Sequence, residues 1–213
     1  MNVEDLIKRI RVEGWCVIEN VIPHAEVHHV RDSILSTATS RSQSMVKGRN
    51  GLNGLIAYDQ SIAPYLADER VMAINEAMFG KHVRISMTTG VVIEPGYPQS
   101  NLHSDYPFGQ GYDFRIPAPY PDAPLQLTSL WMLTPFTETN GGTVLVPGSH
   151  RYSNNPTGDG NLLQGDRHPS QITATGNPGS VLMFDSRTWH TNGANTSNEQ
   201  RIAIIARYVA WWF

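Results

Sequence analysis

The first eighty residues carry apolar positions at helical spacing. Val3, Leu6, Ile7 and Ile10 fall at i, i+3, i+4 and i+7, which predicts an amphipathic helix that Gly14 ends. The run Trp15 to Ile18 is aromatic and β-branched and predicts a short strand. Pro23 opens a second helix that continues to about Thr37. Residues 40–54 are polar and glycine-rich and read as a loop. A third helix carries Val71, Ile74 and Met78 on one face, and Gly80 stops it.

From Val83 the period changes. Short β-rich runs near 83–94, 125–135, 143–146, 180–184 and 201–209 alternate with Gly, Pro, Asn and Asp. Helices first and strands later predict an α+β fold, mainly β, with a sandwich or barrel as its body. There is no internal repeat and no clean linker. The expectation is one domain over 1–213, with a helical support region at 1–82 and a β core at 83–213. Two long loops, 106–124 and 148–179, interrupt the strands. Loops of that length are commonly functional or disordered, and the aromatics of the first (Phe108, Tyr112, Phe114 and Tyr120) favour a packed lid.

Composition narrows the function classes. Of 213 residues 40% are hydrophobic, enough for a core, and the net charge of -3 comes without a basic stripe, which argues against a nucleic-acid partner. No run approaches the ~18 apolar residues of a spanning helix, so no membrane partner is expected. The charged start lacks the apolar centre of a secretory leader, and the single Cys16 fits a reducing compartment; the expected location is cytoplasmic.

Four dispersed residues carry the candidate chemistry. His103 and Asp105 stand two apart, so in an extended segment both point to one face. With His190 they make the two-histidine, one-carboxylate set that holds non-haem Fe(II) with positions open for O₂. A His-x-Asp triplet alone is a weak signal, and a lone histidine is more often structural. Arg201 strengthens the set, because it opens the apolar run to Val209. A guanidinium at the mouth of a strand can grip the far carboxylate of a dicarboxylate such as 2-oxoglutarate. Arg207 shares its strand face by parity and is the weaker anchor, its commoner reading being a solvent or sheet-edge arginine.

Four stretches, Leu102–Phe108, Asn140–Arg151, Phe184–His190 and Arg201–Tyr208, occur in an order that resembles the phytanoyl-CoA dioxygenase family of Fe(II)/2-oxoglutarate oxygenases. The Gly14-Trp15 entry to the first strand is similar as well. The resemblance implies a double-stranded β-helix, a jelly-roll, cupin-like barrel flanked by N-terminal helices. It implies iron on His103, Asp105 and His190, 2-oxoglutarate on Arg201, and O₂ as oxidant. The implied reaction decarboxylates 2-oxoglutarate to succinate and CO₂ and oxidises a substrate. Halogenating relatives lack the carboxylate ligand, so Asp105 points to hydroxylation or a related oxidation.

The same resemblance implies Trp131 lining the co-substrate pocket; by position, Thr88 (or Ser86) on the strand leading to the metal motif and Asn192 two residues past the distal histidine are further candidates to hydrogen-bond the co-substrate. Trp131 also reads as a core aromatic. Asp185 either orients the ligands or caps a turn. His24 and His28 read as a solvated helix face and His150 as turn structure. Arg115, Arg151 and Arg167 either meet an anionic substrate or lie on the surface. The compact chain favours a small organic substrate for a hydroxylase. Desaturation, epimerisation or ring formation on the same iron is the alternative, and a non-catalytic metal- or ligand-binding cupin-like protein is the third reading.

Overall fold

The structure is a computed structural model that describes residues 2–41, 46–106, 119, 121–156, 162 and 166–213. Phe108, Tyr112, Phe114, Arg115 and Tyr120 of the first long loop lie outside the described residues.

Helix α1 spans Val3–Glu13, with the Asn2 side chain accepting from the Asp5 amide at its start. Gly14 ends it at φ 87°, donating to Ile10 O. The position demands glycine twice, because a Cβ there would also lie 2.6 Å from His150 Nδ1. Strand β1 is Trp15–Ile18. Helix α2, His24–Ser40, begins after Pro23, runs past Thr37, and buries Val27, Val30, Ile34 and Ala38 at helical spacing. Strand β2, Arg49–Asn53, occupies part of the predicted loop. Its Arg-Asn-Gly-Leu-Asn sequence has no strand signature; pairing with the next strand makes it one. The short helix α3, Ala63–Leu66, precedes α4, Glu69–Phe79, which Asp68 caps and Gly80 closes.

The remaining strands are β3 Val83–Ile93, β4 Gln126–Met132, β5 Thr143–Leu145, β6 Ile172–Thr173, β7 Val181–Asp185, β8 His190–Asn192 and β9 Arg201–Ala210. The sequence pattern anticipates all but the short strands β6 and β8. Six form one antiparallel sheet in the order β1-β7-β4-β9-β3-β2, and three form a second, β6-β5-β8. Two antiparallel sheets with helices outside are the expected double-stranded β-helix arrangement. The first eighty residues supply more than helical support, since β1 and β2 are the two edges of the large sheet.

Strand alternation divides the core. One face of the large sheet presents Leu127, Trp131, Ile202, Ile204, Ala206 and Tyr208 to the helices, where they meet Leu6, Ile10, Ile34 and Ile74. The other face presents Leu130, Met132, Phe184 and Ala203 to Leu145 and Ala174 beside the small sheet. The cavity described next opens on this second face. No helix among the described residues is long and apolar enough to cross a membrane.

Candidate metal centre and its cavity

His103 and His190 form an isolated antiparallel bridge. His103 N donates to His190 O at 3.0 Å and His190 N to His103 O at 2.8 Å. Asp105 N then donates to Ser186 O at 2.8 Å. The 103–105 segment is thus tied to the turn leading into β8, and His103 and His190, 87 positions apart in sequence, become neighbours, with ring centroids 4.4 Å apart.

Each ring has one nitrogen committed. His103 Nδ1 lies 3.1 Å from Asn101 O and His190 Nδ1 lies 2.9 Å from Thr188 O. A carbonyl only accepts, so each Nδ1 carries the proton and each Nε2 keeps its lone pair. Those two Nε2 atoms stand 3.9 and 3.7 Å from the Asp105 carboxylate oxygens. The three ligand atoms all lie within 4.8 Å of one another, a group that could hold a metal ion. Burial pushes the His190 imidazole down to about 4, helped by His103, so it is neutral at pH 7 as a ligand must be.

The Asp105 side chain is 6% exposed. Burial opposes its charge, yet His190, Arg207, His103 and the Thr128 hydroxyl together hold the carboxyl below its ordinary range. Arg207 Nη2 reaches Oδ1 at 2.5 Å and Thr128 Oγ1 donates to Oδ2 at 2.8 Å. The register places Thr128 directly opposite Arg207 across β4 and β9.

A cavity of about 160 Å³ runs from this centre between the sheets, and its lining includes Asn192, Arg49 and Arg201. Arg201 is 2% exposed, donates from Nε to Gly141 O at 3.1 Å, and sits 4.9 Å from the centroid of Phe136. No carboxylate pairs with it among the described residues. Burial, then the charge of Arg49, push its pKa down to about 9, which leaves it cationic at pH 7. The Asn140-Gly141-Gly142 stretch acquires a reason here. Asn140 Oδ1 accepts from Thr137 N, and its Nδ2 donates to Pro135 O. That turn, with Gly141 at φ 82°, offers the carbonyl that orients Arg201.

The structure therefore brings His103, Asp105, His190, Arg201 and Asn192 to one cavity. It places Trp131 and Thr88 elsewhere, which corrects their assignment to the co-substrate pocket. On β4 the cavity face carries Thr128 and Leu130, so Trp131 turns into the helix-side core and donates to Ser129 Oγ. On β3 the cavity face carries Val91 and Ile93, and Thr88 instead accepts from Ile56 N. Alternation in a strand decides both. Ser86 is exposed. Arg207, read as a surface arginine, is in the cavity, as the parity shared with Arg201 implied. Asp185 accepts from the Arg187 amide and guanidinium, so it caps the turn before His190. His24 and His28 are exposed, as are Arg151 and Arg167. Sequence reasoning missed Arg49 and Thr128; the available signal was the pair of hydroxyls, Thr128 and Ser129, inside the otherwise apolar run Leu127–Met132.

The donor chemistry fits a divalent ion, with two neutral imidazole nitrogens and one ionised carboxylate converging. The chain is similar to several known proteins. The chain is 25% identical to a dioxygenase, af480, of Aspergillus fumigatus over 99% of this chain and 68% of that one. Among solved structures, the epimerase SnoN of nogalamycin biosynthesis, in complex with Fe3+, alpha ketoglutarate and nogalamycin RO, superposes with a TM-score of 0.75 at 20% identity, covering 98% of this chain and 83% of that one. EctD from S. alaskensis superposes at 0.76 with 19% identity, over 99% and 77%. A model of the phytanoyl-CoA dioxygenase family matches residues 10–203, and the chain belongs to that family.

Proposed function

We propose that this chain is an Fe(II)/2-oxoglutarate-dependent dioxygenase that hydroxylates a small organic metabolite, with conversion of 2-oxoglutarate to succinate and CO₂. One observation carries the reading: a single cavity is lined by a two-histidine, one-carboxylate set and by a buried guanidinium that has no carboxylate partner among the described residues. His103, Asp105 and His190 would hold the iron, and Arg201 would receive the distal carboxylate of 2-oxoglutarate. Iron with its co-substrate supplies the O₂ activation that no amino-acid side chain provides.

The protein's own part is orientation and exclusion. The two backbone carbonyls fix the histidine tautomers, and Thr128 with Arg207 holds the Asp105 carboxylate from both oxygens. Val91, Leu130 and Ile205 supply the apolar part of the cavity wall. The carboxylate of Asp105 fills the position a halide would need, which supports oxygen transfer over halogenation.

The test is Fe(II)-dependent succinate release coupled to O₂ uptake across a panel of small metabolites, followed by product mass. Gain of one oxygen is the expected result. A product of unchanged mass or lighter by two hydrogens selects epimerisation, desaturation or ring formation, a reading the likeness to an epimerase keeps in view. Absence of succinate release with every compound, and without any, refutes the enzyme assignment.

A further inference from the structure

Arg49 is a charged residue of the cavity lining that stands outside the metal centre. Its place follows from strand register. Arg49 of β2 pairs with Ile93 of β3, and Ile93 pairs on its other side with Arg201 of β9. The three residues form one row across the sheet, with the arginines on either flank of Ile93. Two strand spacings put their Cα atoms roughly 10 Å apart. Leu52 turns into the helix-side core, so alternation along β2 directs Arg49 to the opposite face, where it lines the cavity with Arg201.

The charges there do not balance. The lining contains Arg49, Arg201 and Arg207 against the single carboxylate of Asp105, and Arg207 already pairs with Asp105. Neither Arg49 nor Arg201 has a carboxylate partner among the described residues. Glu94, next to Ile93, is turned away and accepts from the Asn50 and Gln200 amides. Two neighbouring guanidiniums repel each other; the charge of Arg49 is one of the two causes that depress the Arg201 pKa. An anion between them reverses that repulsion, and a planar carboxylate can accept from the forks of both.

We propose that Arg49 and Arg201 form a two-guanidinium clamp for the distal carboxylate of the co-substrate. This rests on the 2-oxoglutarate reading above and adds a second anchor, supplied by an edge strand in the N-terminal part of the chain. The clamp favours 2-oxo acids with a second carboxylate over those with a neutral end.

The test uses full-length protein loaded with Fe(II) under anaerobic conditions and titrated calorimetrically without substrate. Arg49→Gln should raise the Kd for 2-oxoglutarate by about 10- to 100-fold, the loss of charge-assisted hydrogen bonds. It should leave the Kd for 2-oxobutyrate, which keeps the chelating end and lacks the distal carboxylate, unchanged. Arg49→Lys should recover part of the affinity. Ligand-free Arg49→Gln should melt at or above the wild-type temperature, because a repulsion has gone. An unchanged Kd for 2-oxoglutarate overturns the proposal, as does an equal loss for both 2-oxo acids. Unchanged 2-oxoglutarate binding with weakened substrate binding assigns Arg49 to a substrate anion and overturns it too.

A second measurement separates this inference from the reading beneath it. Glutarate should raise the melting temperature of metal-free wild-type protein and not that of Arg49→Gln. If the wild type fails to bind 2-oxoglutarate with iron yet shows this difference, the co-substrate reading falls and the carboxylate clamp stands. If glutarate stabilises both proteins equally, the clamp is refuted.

Discussion

Replacing Arg201 by Met separates what this residue costs the fold from what it gives the site. Arg201 is 2% exposed, and burial with the nearby charge of Arg49 brings its pKa down from the ordinary guanidinium value to about 9. A depression of that size corresponds to on the order of 5 kcal/mol withheld from the folded state. The unfolded chain holds the proton more tightly, so the cost is present at every pH below about 9 and fades above it. Two contacts work the other way, the bond to Gly141 O and the ring of Phe136. Together with the carbonyl left unpaired, their loss is about 3–4 kcal/mol. Methionine keeps much of the stem and fills the remaining space. The ligand-free Arg201→Met protein should therefore gain about 1–2 kcal/mol, a rise of roughly 2–8 °C in Tm for a chain of this length. With Fe(II) and 2-oxoglutarate the order should reverse: the wild type is stabilised by ligand while the variant is not, and its affinity falls by about 100-fold or more. Thermal unfolding of both proteins, with and without ligand, reads both effects. A lower Tm for the ligand-free variant, or an undiminished rise on adding 2-oxoglutarate, would refute the reasoning.

Thr128→Val removes the hydroxyl that donates to Asp105 Oδ2 and also meets Ser186 Oγ, and should weaken Fe(II) binding by about 10- to 100-fold in an equilibrium titration, at a cost of about 1–3 kcal/mol in stability for the buried groups left unpaired. Trp131→Ala should cost about 3–5 kcal/mol in urea unfolding because Trp131 is fully buried in the helix-side core, with 2-oxoglutarate affinity of the folded protein unchanged. Burial raises the Cys16 thiol pKa to about 12, so the folded thiol keeps its proton after the unfolded one has lost it. Stability should be untouched below the ordinary thiol range and fall as pH rises past it, by about 2 kcal/mol near pH 10.5. Comparing urea midpoints of wild type and Cys16→Ala at pH 8 and pH 10.5 isolates that contribution.

Local pattern was enough wherever an element carries its own period or cap. Helix α1 has its apolar stripe, Asn2 before it and Gly14 after it, and β9 has a ten-residue, largely apolar run buried on both faces. Strand β2 had no such signal, because a polar edge strand owes its conformation to the partner it pairs with. The candidate site divides the same way. His103 and Asp105 could be read as one unit because two-residue spacing in extended chain is itself a statement of direction. Arg207 shares a face with Arg201 by the same parity, yet parity alone does not say which of the two faces meets the cavity. Thr88 and Trp131 show the consequence: each stands on a strand that lines the site, and each points the other way.

The sequence by itself determined the residue types that can hold iron and the helix-then-strand order. These follow from local chemistry, from spacing and from the resemblance those motifs carry. Only the tertiary structure decided which strand face is the inside, that Arg207 grips Asp105, and that Arg49 stands across Ile93 from Arg201. Those outcomes depend on strand register between segments far apart in the chain, and a shift of one residue would turn each of these side chains to the opposite face.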